Sequence, residues 1–65
     1  MTTWRLDTAQ TTVLAVDDNG EERDLNTSGL PCESIRELAR FIMQLQSAGA
    51  FGWETAEELL ADIGR

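Results

Sequence analysis

Apolar residues in the first 26 positions recur every second residue or in short β-branched runs, whereas from residue 35 onward they recur every third or fourth. The first spacing marks strands and the second marks helices. Trp4 and Leu6 alternate with Thr3 and Arg5, which predicts a strand over about residues 2–7. Thr11-Thr12-Val13-Leu14-Ala15-Val16 favours β-structure throughout and predicts a second over about residues 11–17. Asn19-Gly20 follows, and Asn-Gly is a strong hairpin signal because both central residues of a type I′ turn need positive φ. A third strand over about residues 21–25 returns from it.

Helical spacing then takes over. Ile35, Leu38, Ile42 and Leu45 make a stripe, and Ala39, Phe41 and Met43 widen it to an arc of about 200°, enough to meet a sheet on one flank and another helix on the other. Pro31 suits a first turn, which predicts a helix over about residues 31–48 with Gly49 just past its end, and Ser34 with Glu37 offers a second start, as a capping box, one turn later. Thr55 and Glu58 repeat the box spacing and predict a last helix over about residues 55–63, with Ala56, Leu59, Leu60 and Ile63 inside. Between the helices, Phe51 and Trp53 are expected to plug the end of the core. The fold class is therefore α+β: a three-stranded antiparallel β-meander packed against two C-terminal α-helices, one domain over residues 1–65. The polar run Asn26-Thr27-Ser28-Gly29 is too brief to divide it.

A two-residue loop at Asn19-Gly20 would pair Asp17 with Glu22, Val16 with Arg23 and Leu14 with Leu25. Trp4, Leu6, Leu14, Val16 and Leu25 would then face the helices, and Arg5, Val13, Ala15, Asp17, Glu22 and Asp24 would face away. Asp17 opposite Glu22 would cost stability.

Charge changes the picture from fold to partner. Twelve acidic residues stand against five arginines, with no lysine or histidine, for a formal net charge of -7. The surplus is polarised. Asp7, Asp17, Asp18, Glu21, Glu22 and Asp24 outweigh Arg5 and Arg23 in the first 26 residues, and Glu54, Glu57, Glu58 and Asp62 outweigh Arg65 at the other end. The middle is neutral, with Glu33 and Glu37 placed three residues before Arg36 and Arg40 as though to pair with them.

These residues argue against most chemistry. General acid–base work usually calls on histidine, lysine, tyrosine or a buried carboxylate, and the first three are missing. Cys32 has no imidazole to activate it; it reads as a small packing residue, in a place near a helix start that favours a lowered thiol pKa. Asp17-Asp18-Asn19-Gly20-Glu21-Glu22 departs from a calcium loop, in which glycine comes sixth rather than fourth. No enzyme activity, cofactor or metal is expected. Direct nucleic-acid binding needs a basic footprint, and the outer face of the last helix has the opposite sign. No secretion signal or apolar stretch of ~20 residues is present, so a soluble cytoplasmic protein is expected.

An acidic surface of this kind suits a basic cavity, and its candidate contacts are Asp17, Asp18, Glu21, Glu22 and Asp24 at one pole and Glu54, Glu57, Glu58 and Asp62 at the other. A very short acidic α+β chain carrying Asp17-Asp18, Glu21-Glu22 and Glu54-Thr55-Ala56-Glu57-Glu58, without a catalytic set, resembles the small anti-CRISPR proteins of phages and mobile elements. Several of those are similar to nucleic-acid mimics and cover basic sites where a CRISPR–Cas surveillance complex would receive target DNA. The resemblance implies a monomeric inhibitor in the host cytosol whose partner is a basic nucleic-acid-binding complex. The alternative is a structural or regulatory interaction subunit, an antitoxin-like partner or a homodimer burying Val13, Met43 and Phe51, whose acidity serves solubility.

Overall fold

A computed structural model of the chain describes residues 1–26 and 30–64. Its elements are β1 (Thr3–Leu6), β2 (Val13–Val16), β3 (Glu22–Asp24), α1 (Ile35–Ser47) and α2 (Trp53–Asp62). The strands form one antiparallel sheet in the order β1-β2-β3, and α1 and α2 pack on each other, with α2 also against β1. The expected α+β meander with two C-terminal helices is the observed fold. Thr27-Ser28-Gly29, most of the polar run, and Arg65 lie outside the described residues. Among the described residues no helix is long and apolar enough to cross a membrane.

The strands are shorter than their patterns suggest because the β1–β2 connection is built by side-chain chemistry. Asp7 accepts from the Thr11 backbone N–H and the Thr11 hydroxyl, both at 2.7 Å, and the Gln10 N–H bonds the Asp7 carbonyl at 3.0 Å. Residues 7–12 are thereby a turn, and Thr11 and Thr12 are not strand.

The β2–β3 hairpin differs from the two-residue loop in one residue, with large consequences. Val16 lies opposite Glu22, Ala15 opposite Arg23 and Leu14 opposite Asp24. The Gly20 N–H bonds the Asp17 carbonyl and the Asp17 N–H bonds the Glu21 carbonyl, each at 3.0 Å, with Gly20 at φ 82. That is the three-residue loop in which a turn is followed by a left-handed residue and a bulge. The Asp17 carboxylate stabilises it by accepting from the backbone N–H groups of Asn19 and Glu21, each at 2.9 Å.

One extra loop residue shifts the register by one and turns β2 over, because strand side chains alternate faces. Val13 and Ala15, expected outside, are buried, while Leu14 and Val16, expected inside, lie half-buried on the open face with Arg5, Glu22 and Asp24. Asp17 and Glu22 are not opposed. Small Ala15 pairs with bulky Trp4 across β1 and β2 on the helix-covered side, a fit that a second large side chain would spoil.

α1 begins at Ile35 rather than near Pro31. The Cys32 N–H bonds the Thr11 carbonyl at 2.9 Å, which ties this segment to the start of β2 in extended form. Ser34 is the N-cap, its hydroxyl accepting from the Glu37 N–H at 3.2 Å, while Glu37 accepts from the Glu33 N–H at 2.6 Å. The end is a Schellman motif: the Ala50 N–H bonds the Leu45 carbonyl, the Gly49 N–H bonds the Gln46 carbonyl, and Gly49 takes φ 86.

α2 begins at Trp53, capped by Gly52 without a side-chain bond, so Thr55 and Glu58 are not a box. Phe51, buried immediately before it, sets this early start by meeting Trp4 edge-on with ring centroids 5.7 Å apart. Val13, Leu38, Ile42, Phe51, Ala56 and Leu59 form the core. At its far end, the Gly64 N–H donates to Gln10 Oε1 at 3.0 Å, fastening the last helix to the first turn.

Candidate acidic binding surface

The structure separates the two acidic poles by what their carboxylates already do. At the hairpin, Asp17 is consumed by its own turn. Asp18 pairs with the amino group of Met1, and Glu22 pairs with Arg5 across the open face of the sheet. Asp24 accepts from the Thr12 hydroxyl at 2.7 Å and from the Asn26 N–H at 2.8 Å. Among the described residues the Glu21 side chain makes no hydrogen bond or ion pair, and a hollow of about 320 Å³ beside it is lined also by Arg23, a cation. The hairpin pole is therefore largely committed to holding its fold.

The second pole is arranged differently. Ala56 and Leu59 face the core, so Glu54, Glu57, Glu58 and Asp62 all fall on the solvent side of α2, and all four are exposed. Glu54, Glu58 and Asp62 step by four and form one ridge, with successive members about 6 Å apart along the axis. Trp53, Glu57 and Ala61 make the ridge beside it. Among the described residues Glu54 and Glu58 make no hydrogen bond or ion pair, and Glu57 makes one, accepting from the Trp53 indole N–H at 3.0 Å. Among the described residues α2 carries no cation.

Such a ridge is not what helix stability asks for. Like charges four residues apart repel by about 0.2–0.5 kcal/mol per pair, and acids in a last turn oppose the helix dipole. Only Glu54 lies where the dipole favours an acid.

Two expectations about neighbouring residues change. Arg36 and Arg40 do not pair with Glu33 and Glu37, because Glu37 folds back onto the Glu33 N–H as part of the cap. Cys32 lines a hollow of about 460 Å³ between α1 and the segment 30–33, with Glu37, Arg40 and Phe41. Burial pushes its thiol upward, and the carboxylates of Glu37, Asp24 and Asp7 push it the same way, so proximity to a helix start does not activate it. Among the described residues no group of three or more His, Cys, Asp or Glu side chains is placed to hold a metal ion.

Trp53 is the residue that sequence reasoning misplaced. Of the two aromatics expected to plug the core, Phe51 does so, whereas Trp53 is 50% exposed at the head of α2. Its period gave no clear signal: Trp53 lies three residues before Ala56 and seven before Leu60 as well as four before Glu57, at the edge between the inner and outer stripes. Compared with family models, curated proteins and solved structures, the chain matches none of them.

Proposed function

We propose that this protein is a small, non-catalytic inhibitor that binds a basic nucleic-acid-binding complex, of the CRISPR–Cas surveillance type, and occupies its DNA site by charge mimicry. The outer face of α2 makes the principal contact, with the hairpin in a lesser role. The observation that carries this reading is the row Glu54, Glu58 and Asp62 with Glu57 beside it: exposed carboxylates at helical spacing on an element with no cation among the described residues, kept where they weaken the helix. Solubility would be served as well by acids placed apart. Of the residues a homodimer would bury, Val13 and Phe51 lie in the core of a single chain and Met43 is half-buried, which favours the inhibitor reading over that alternative.

The test is competition for DNA binding by a purified surveillance complex. Glu57→Lys, Glu58→Lys and Asp62→Lys together are expected to abolish inhibition, while Glu21→Lys at the hairpin leaves most of it. Native inhibition should weaken steeply between low and physiological salt, as contacts between exposed charges do. Full inhibition by the α2 triple variant, with the fold intact by circular dichroism, refutes the reading.

A further inference from the structure

We propose that Trp53 is the anchor of this surface and that it receives an arginine side chain of the partner. The inference rests on the reading of α2 as the binding face and names the chemistry that face recognises.

Two aromatics lie two residues apart at the start of α2, and the fold treats them oppositely. Phe51 is 6% exposed and packs on Trp4, whereas Trp53 leaves half its surface in water. A 65-residue chain without disulfides has every reason to bury a tryptophan, the residue with the most apolar area to offer. Met1, Leu30 and Ile35 are also large, apolar and exposed, but of these four only Trp53 stands among the α2 carboxylates. An exposed tryptophan next to polar groups is the residue type that most often dominates an interface.

Its ring is also held in place. The indole N–H donates to Glu57 Oε1, one turn further along, so the ring is oriented before any partner arrives and little rotamer freedom remains to be lost. That bond leaves Glu57 Oε2 for a further donor, with Glu54 adjacent to Trp53 in sequence and Glu58 one turn on.

The group that satisfies this combination is a guanidinium. It is planar and weakly hydrated, stacks on an indole face, and directs several N–H donors outward to carboxylates at the ring's edge. A lysine ammonium would meet the carboxylates but, being compact and strongly hydrated, gains less from the ring. A neutral apolar partner would strip water from the acids without replacing it. A second copy of this chain presents Arg36 and Arg40 but brings its own net charge of -7.

The probes are nona-arginine and nona-lysine peptides, titrated calorimetrically against the full chain at low and physiological salt. Native protein is expected to prefer the arginine peptide. Trp53→Ala should weaken arginine-peptide binding about two- to five-fold, the range of an exposed cation–π contact, and leave lysine-peptide binding within two-fold. Trp53→Phe, which keeps a ring, should fall between and stands in if the alanine variant does not fold. Equal losses for both peptides, or none for arginine, overturn the anchor. So does sedimentation showing a native dimer that Trp53→Ala dissolves. The acidic-surface reading fails separately: Glu57→Lys with Glu58→Lys binding both peptides as tightly as native protein would remove it, and the anchor with it.

Discussion

Replacing Glu58 by glutamine should make this protein more stable and a poorer binder at once. Glu58 is the middle member of the ridge, four residues from Glu54 on one side and four from Asp62 on the other, and it makes no hydrogen bond or ion pair of its own. Neutralising it removes two like-charge neighbours and no favourable contact. At about 0.2–0.5 kcal/mol for each pair, the expected gain is about 0.4–1 kcal/mol. For a domain of this size about 1 kcal/mol moves the melting temperature by roughly 4–8 °C, so a rise of about 2–8 °C is expected. Glutamine retains the length and helix propensity of glutamate, which keeps the comparison clean. The assay is thermal unfolding followed at 222 nm in about 10 mM and 1 M salt; in 1 M salt screening shortens to about 3 Å and the gain should vanish. Glu54→Gln is the control. It relieves repulsion from Glu57 and Glu58 but also removes an acid favoured by the helix dipole, so its net gain should be smaller than that of Glu58→Gln. A melting temperature for Glu58→Gln that is unchanged or lower at low salt, or a gain that survives 1 M salt, would refute the claim that the ridge is held against its own repulsion.

Two further predictions concern the turns that set the register. Burial alone would raise the pKa of Asp7, but hydrogen bonds from the Thr11 side chain and from the backbone of Thr11, Thr12 and Gln10 outweigh it and hold the carboxyl below its usual 3.8. A carboxyl lowered by folding stabilises the native state above its unfolded pKa and loses that contribution as pH falls through the folded value. Asp7→Asn should therefore cost about 1–2 kcal/mol at pH 7, discounted for partial exposure, and progressively less as the pH falls below 3.8; urea titrations at pH 7 and through the acid range check it, and a cost that does not change with pH would be contrary. Gly20→Ala should cost about 1 kcal/mol in the same titrations through its φ of 82 alone, because a Cβ there would meet nothing within 4 Å. A cost above about 3 kcal/mol would mean that the hairpin relies on something other than backbone conformation.

The element order was legible in the residues because each half keeps a single hydrophobic period. Side and register were not. Val13-Leu14-Ala15-Val16 is apolar at every position, so alternation cannot say which pair faces the helices, and Asn19-Gly20 is compatible with a loop of two residues or three. The loop adopted is the longer one, in which the Asp17 carboxylate accepts from the backbone N–H groups of both Asn19 and Glu21. The start of α2 was obscured by Thr55 and Glu58, which imitate a cap, whereas a buried Phe51 beside Gly52 decides the matter through tertiary packing. The candidate surface was legible as charge but not as availability. Counting carboxylates cannot reveal that Asp17, Asp18, Glu22 and Asp24 are already engaged while Glu54 and Glu58 are not.

The bond from Gly64 to Gln10, together with the packing of α2 on β1, joins the second helix to the first strand and the turn that follows it. Trp4 and Phe51 stand far apart along the chain, so their contact closes a long loop and ties the start of the sheet to the segment that leads into α2. A truncation that removes the final helix would take the strands' cover with it, so an acidic surface on α2 cannot be trimmed away without dissolving the whole molecule.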